Sequence, residues 1–257
     1  MSVAGEAAAQ VPRSYYRMVP PAPPLRRFVE CLWVHLVPDA KADGDRRILP
    51  DGRMDLVWIR GLGTAVAGPQ SRFTTRPVAA PMLAFGARFR PGAAPTLLRV
   101  PAVELLDDTV PLAALDLRWA QRLDEAFRRA SDEQAAFDAL NRELVGLLER
   151  LQPDPVVSEA AALLAERSAT VAEAARGVYV SERELERRFV EHVGYAPKTL
   201  QRILRLQHVV GQIESLGTQA ELAQVAVSAG YSDQSHLSRE SRRLTGLTPR
   251  QLVRWIG

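Results

Sequence analysis

The sequence predicts a multidomain α+β chain, with a small β-barrel or sandwich in the amino-terminal part, two helices after it, and an all-α carboxy-terminal part. Three observations carry this. The chain has 257 residues, more than one core organises at roughly 100–200 residues per domain. Residues 25–110 break into short apolar stretches separated by Gly and Pro (Leu32 to Val37, Met54 to Ile59, Thr64 to Ala67, Leu83 to Phe89), the punctuation of short strands. From Pro111 the apolar spacing changes to three and four, the period of a helix face.

Apolar residues are 47% and charged residues 25% of the chain, so a disordered or fibrous protein is excluded. The longest uncharged runs, such as Gly61 to Ser71 and Pro77 to Ala87, fall short of the about 18 apolar residues a membrane span needs. No membrane partner is expected. The opening residues carry Glu6 and lack a cationic start and an apolar core, so they read as a tail rather than a secretory signal, and cytoplasm is the expected location. Cys31 is the only cysteine, which leaves no internal disulfide and no cysteine-based zinc or iron–sulfur site. Net charge is +3, and residues 1–154 hold 20 basic and 19 acidic side chains against 13 and 11 in the remainder. Bulk charge therefore does not select a nucleic-acid partner, and motif geometry has to.

Taken in order, Asp51-Gly52 between Arg-Ile-Leu-Pro and Met-Asp-Leu-Val-Trp-Ile predicts a hairpin turn. Alternation then puts Phe85, Ala87 and Phe89 on one face of a strand that ends at Pro91-Gly92, with Arg88 and Arg90 on the other. Leu115, Trp119, Leu123 and Ala126 or Phe127 mark a first helix. Ser131 with Gln134 has capping-box spacing for a second, whose stripe runs Phe137, Leu140, Leu144, Leu147, Leu151. That stripe suits either packing on the β domain or a dimer seam. Pro153-Asp154-Pro155 cannot propagate a helix and divides the chain into 1–110, 111–152 and 153–257.

The last part repeats one device. Thr170 with Glu173 caps a helix of less than two turns that stops at Gly177; Ser181 with Glu184 caps another, which Leu185 and Phe189 hold on its predecessor. Arg183, Glu186, Arg187 and Val190 then share the opposite face, and such a helix can enter a major groove. Pro197 opens a linker helix to Leu216. Past Gly217 come a second apolar helix, Gly230-Tyr231, and a cap at Ser232 or Asp233. Both copies have Leu followed by Arg two residues on, at Leu185 and Arg187 and at Leu237 and Arg239.

Gly230-Tyr-Ser-Asp-Gln-Ser-His-Leu-Ser-Arg239 followed by Gly246-Leu-Thr-Pro249 resembles the signature of the AraC/XylS family of bacterial transcription regulators. Ser181 to Phe189 with Gly194-Tyr-Ala-Pro197 resembles that family's first helix-turn-helix. The resemblance implies helix-turn-helix units at about 168–193 and 220–245 joined by a linker at about 197–216, reading two turns of double-stranded DNA roughly 34 Å apart. Carried over by position, the base-facing candidates are Arg183, Glu186 and Arg187, and Gln234, Ser235, His236, Ser238 and Arg239. Arg187 and Arg239 suit guanine, Gln234 adenine and Glu186 cytosine, while Glu184 suits capping rather than reading. Position 241 is Ser where the family has Phe, which predicts a looser second helix and a dominant first unit.

Leu49-Pro-Asp-Gly-Arg-Met-Asp-Leu-Val57 and Arg88-Phe-Arg-Pro-Gly92 resemble the sensing domain fused to such regulators, which implies a cupin-like barrel for an effector or for dimerisation. Trp33, Arg53, Trp58, Phe85 and Arg88 are candidates to line an effector pocket for an organic acid or aromatic. His35 is the only histidine before residue 192, so no metal or cofactor is expected there. The resulting expectation is a homodimeric DNA-binding regulator, not an enzyme, with RNA polymerase and a small-molecule effector as further partners. Its rivals are an interaction module with a degenerate second unit and an enzyme domain fused to a DNA-binding one.

Overall fold

The computed structural model describes residues 14–38, 44–78, 80–166, 169–217 and 221–256. An amino-terminal sheet domain precedes a helical carboxy-terminal part, each around its own core. The strands are β1 (Tyr15–Val19), β2 (Val29–Val37), β3 (Gly44–Ile48), β4 (Met54–Ile59), β5 (Gly63–Ala67), β6 (Thr74–Val78), β7 (Met82–Phe89) and β8 (Thr109–Pro111). Six of them form an antiparallel sheet in the order β1-β2-β7-β4-β5-β8, and β3 pairs with β6 in a separate ribbon. Among the described residues no ladder joins β1 to β8, so the expected barrel is an open one.

The Asp51-Gly52 hairpin does not form. Pairing of β3 goes to β6 and pairing of β4 to β5 and β7, so the two strands either side of the turn enter different sheets. The turn is kept instead by Asp51, whose Oδ1 accepts from the Arg53 amide at 2.9 Å. Alternation in β7 holds as expected, with Phe85, Ala87 and Phe89 in the core.

Helices α1 (Ala94–Leu98), α2 (Leu112–Leu115), α3 (Leu117–Arg129) and α4 (Glu133–Val145) complete this domain. Trp119, Leu123 and Phe127 of α3 and Phe137, Leu140 and Leu144 of α4 are buried against the sheet, where Trp58 stacks on Phe127 at 4.8 Å and Phe85 on Phe127 at 5.6 Å. The stripe is thus spent within the chain, leaving little of it for a dimer seam. Two details differ from expectation. Asp132, not Ser131, caps α4 by accepting from the Ala135 amide at 2.9 Å, because its carboxylate reaches the third helical N–H. Helix α4 stops at Val145, and the buried Leu147 and Leu151 flank the 3-10 turn Leu148–Arg150 that follows.

Asp154 then caps α5 (Pro155–Ala165), with Pro155 at the first helical position where no N–H is needed. The remaining helices are α6 (Val171–Gly177), α7 (Glu182–Val193), α8 (Pro197–Leu216), α9 (Leu222–Ser228), α10 (Gln234–Thr245) and α11 (Pro249–Ile256). No helix among the described residues is long and apolar enough to cross a membrane.

Candidate nucleic-acid interface

The first unit is α6, a turn and α7. Thr170 and Glu173 form the expected reciprocal box, with Oε2 of Glu173 accepting from the Thr170 amide at 2.7 Å. Leu185, Phe189 and Val193 lie on one side of α7 and are buried; Arg183, Glu186 and Arg187 lie on the other and are exposed. Ser181 accepts from the Glu184 amide at 3.1 Å, but the Glu184 carboxylate does not return to the cap. It binds Arg187 at 2.7 Å and Arg188 at 2.7 Å, and these two guanidinium groups hold its pKa well below the usual carboxylate range. Arg187 also reaches Glu191 at 3.4 Å, so the candidate guanine reader stands pre-extended along the outer face by two carboxylates of its own helix.

The second unit is α9, a turn and α10. Its cap is Asp233, which accepts from the His236 amide at 2.7 Å, and not Ser232, whose hydroxyl instead contacts Asp233 and the His236 ring. Four residues separate cap from leucine in both units, Ser181 to Leu185 and Asp233 to Leu237, and the carboxylate is the better acceptor at that place. Gln234, Ser235 and Arg239 are exposed, and Ser238 and His236 are half-buried. Ser238 bonds back to the Gln234 carbonyl at 2.8 Å, and His236 sits edge-on to Tyr231 at 5.2 Å. The structure brings these five candidates to one face and places Arg242 and Arg243, which sequence reasoning missed, beside them in the open. Their spacing from Arg239, at i+3 and i+4, is the signal that would have found them.

Ser241 is fully buried on the seam side of α10. Its hydroxyl donates to the Leu247 carbonyl at 2.7 Å, and Thr245 donates to the Ser241 carbonyl at 2.7 Å. Helix α8 adds polar ties: Arg202 pairs with the buried Glu240 at 2.8 Å, and Arg205 donates to the Gly230 carbonyl at 3.3 Å while lying over the Tyr231 ring.

The five candidate pocket residues do not converge. Trp58 and Phe85 are core residues on the helix-covered face of the sheet, while Trp33 clusters with Cys31 and Ala84 apart from them. Arg88 makes two bonds to Asp55, at 3.0 and 3.1 Å, and Arg53 pairs with Glu30 at 2.5 Å. These arginines are satisfied by the chain's own carboxylates. Burial pushes the Cys31 thiol up to about 11, against any nucleophilic role. No cluster of metal-binding side chains occurs among the described residues.

Residues 17–111 match a family described as a domain of unknown function (DUF6597), and residues 174–254 match the family described as a helix-turn-helix domain. No curated protein matches the chain. Among solved structures, an apo variant of ToxT from Vibrio cholerae is 12% identical, with TM-score 0.48, covering 88% of this chain and 98% of its own. ToxT of the same organism in another crystal is 11% identical with TM-score 0.49, over 86% and 97%, and its unsaturated fatty acid-bound form 11% identical with TM-score 0.47, over 86% and 94%. With the two exposed helix faces, their buried seams and the linker between them, residues 174–254 of this chain form a helix-turn-helix domain of two units.

Proposed function

We propose that the chain is a sequence-specific DNA-binding transcription regulator whose α7 and α10 enter successive major grooves. The observation that carries this is the repeated unit. Each holds one helix by a buried leucine at the fourth residue past its cap, and each turns a polar, arginine-bearing face outward. Such faces match base edges and phosphates rather than an apolar protein partner. On this reading Arg183, Glu186 and Arg187 read the first half-site, Gln234, Ser235, His236, Ser238 and Arg239 the second, and Arg242 and Arg243 hold phosphates.

The amino-terminal domain then acts as the controlling part, through an effector or a second copy of the chain, with RNA polymerase as the downstream partner in the cytoplasm. Its closed aromatic core supports dimerisation or a ligand at the sheet's other face better than a ligand among Trp58, Phe85 and Phe127. The test is duplex binding across a salt series. Phosphate contacts release counterions, so log K falls with log salt at about 0.9 per phosphate neutralised. A steep slope supports the reading; a flat one, with binding to protein instead, overturns it.

A further inference from the structure

The carbonyls that close a helix have no partner inside it, and in α10 two of them are met by the amino-terminal domain. The Phe73 amide donates to the Leu244 carbonyl at 2.7 Å. The Arg47 guanidinium, on β3, donates to the Thr245 carbonyl and lies over the Phe73 ring at 4.2 Å. A cation here also faces the negative end of the helix dipole. The approach is close. A Cβ on Gly246, the residue that ends α10, would stand 2.7 Å from both Arg47 and Phe73.

The equivalent glycine of the first unit, Gly194 at the end of α7, is approached in the same way: a Cβ there would stand 2.6 Å from Pro69 and 3.2 Å from the Ala102 carbonyl. One short segment of the sheet domain, 69–73, therefore touches the end of each recognition helix on the side away from its cap. The linker is held as well, by Gln207 donating to the Pro50 carbonyl at 2.6 Å.

We propose that Arg47 and Phe73 are positioning residues for DNA reading: they cap α10 from another domain and, with Pro69 at Gly194, set the spacing of the two recognition helices. The inference rests on the DNA-binding reading above. The ends of the helices are gripped while Arg183, Arg187, Gln234 and Arg239 remain exposed, so the contact orients the second helix without covering its reading face. Motion of the β3–β6 ribbon then acts on the second half-site more than on the first.

The test uses the full chain and the duplex it enriches from a random library, beside the same duplex with the second submotif scrambled. Arg47→Met keeps the aliphatic stem and removes the cap; Arg47→Lys keeps the charge. Arg47→Met is expected to lose about five- to twentyfold in affinity for the intact duplex and to match the wild type on the scrambled one. Arg47→Lys recovers most of the loss, and amide exchange rises in 242–248 but not in 190–196. Equal loss on both duplexes, or none on either with exchange unchanged, overturns the positioning role. A wild-type chain that enriches no duplex overturns the DNA-binding reading itself, which is a separate result.

Discussion

The two helix-turn-helix units share a backbone plan and differ in what holds and what charges them. In the first, Leu185, Phe189 and Val193 make an apolar seam, and Phe189 fills the place that Ser241 occupies in the second. In the second, hydrogen bonds from Ser241 and Thr245, the Arg202–Glu240 pair and the Arg47 cap do that work. The outer faces differ as much. Helix α7 carries four glutamates against three arginines, whereas the only acid on α10, Glu240, is buried against Arg202 of α8, and Arg239, Arg242 and Arg243 are exposed. A polar seam depends on direction as well as on contact, and in the second unit one of its polar ties, the Arg47 cap, comes from the amino-terminal domain. A face whose one exposed acid is the cap Asp233 suits phosphates, and a mixed face suits discrimination between bases.

The largest expected effect separates the seams. Phe189→Ala removes a fully buried ring and should cost about 3–5 kcal/mol, read as a fall in the urea midpoint of the carboxy-terminal part. Leu185→Ala should cost about 2–5 kcal/mol by the same route. Ser241→Ala removes the shorter of two hydroxyl contacts to the Leu247 carbonyl, leaving Thr245 at 3.3 Å, and should cost less, about 1–3 kcal/mol. Equal costs at 189 and 241 would break the comparison.

Next come the faces. Arg187→Ala should lower specific affinity by about 1–3 kcal/mol and relax one base pair of the first submotif. The pair Arg242→Ala and Arg243→Ala should weaken binding to all sequences alike and flatten the salt slope by about 1 per phosphate lost. An unchanged slope would remove the phosphate role.

A smaller effect is electrostatic. Because Glu184 has its pKa depressed in the folded chain, its contribution is present above the unfolded carboxylate value and is lost as pH falls through the folded one. Helicity of the first unit should therefore sag between about pH 4.5 and 2, and Glu184→Gln should abolish that step in circular dichroism. The smallest effect lies in the turns, where Tyr179 has φ 58° at the place of Gly230, with φ 78°. Tyr179→Gly should relieve about 1 kcal/mol of left-handed strain, less the entropy glycine adds to the unfolded chain, and raise the melting temperature slightly.

What the sequence made legible was local. Thr170 and Glu173, Leu185 and Phe189, and the linker from Pro197 to Leu216 follow from spacing within one or two turns, and the structure has them all. The cap expected at Ser131 was one residue early, and of the two candidates at 232 and 233 the second serves, because in both places an aspartate follows the serine and its carboxylate outcompetes the hydroxyl. The Asp51-Gly52 turn was legible as a turn but not as a parting of strands, since register between distant strands leaves no trace in nearby residues. Ser241 read as a weakness because its partner, the Leu247 carbonyl, is a backbone group no side-chain pattern reports. The Arg47 cap spans 198 residues and is likewise invisible in the sequence.

The central claim, two recognition helices reading two successive grooves, is tested most directly by selecting the full chain against a random duplex library at about 100 mM salt and sequencing what is retained. The account predicts one enriched site with two submotifs about 10 base pairs apart, the second less sharply defined than the first. Retention with no enriched sequence, or a second submotif as sharp as the first and indifferent to Arg239→Ala, would contradict it.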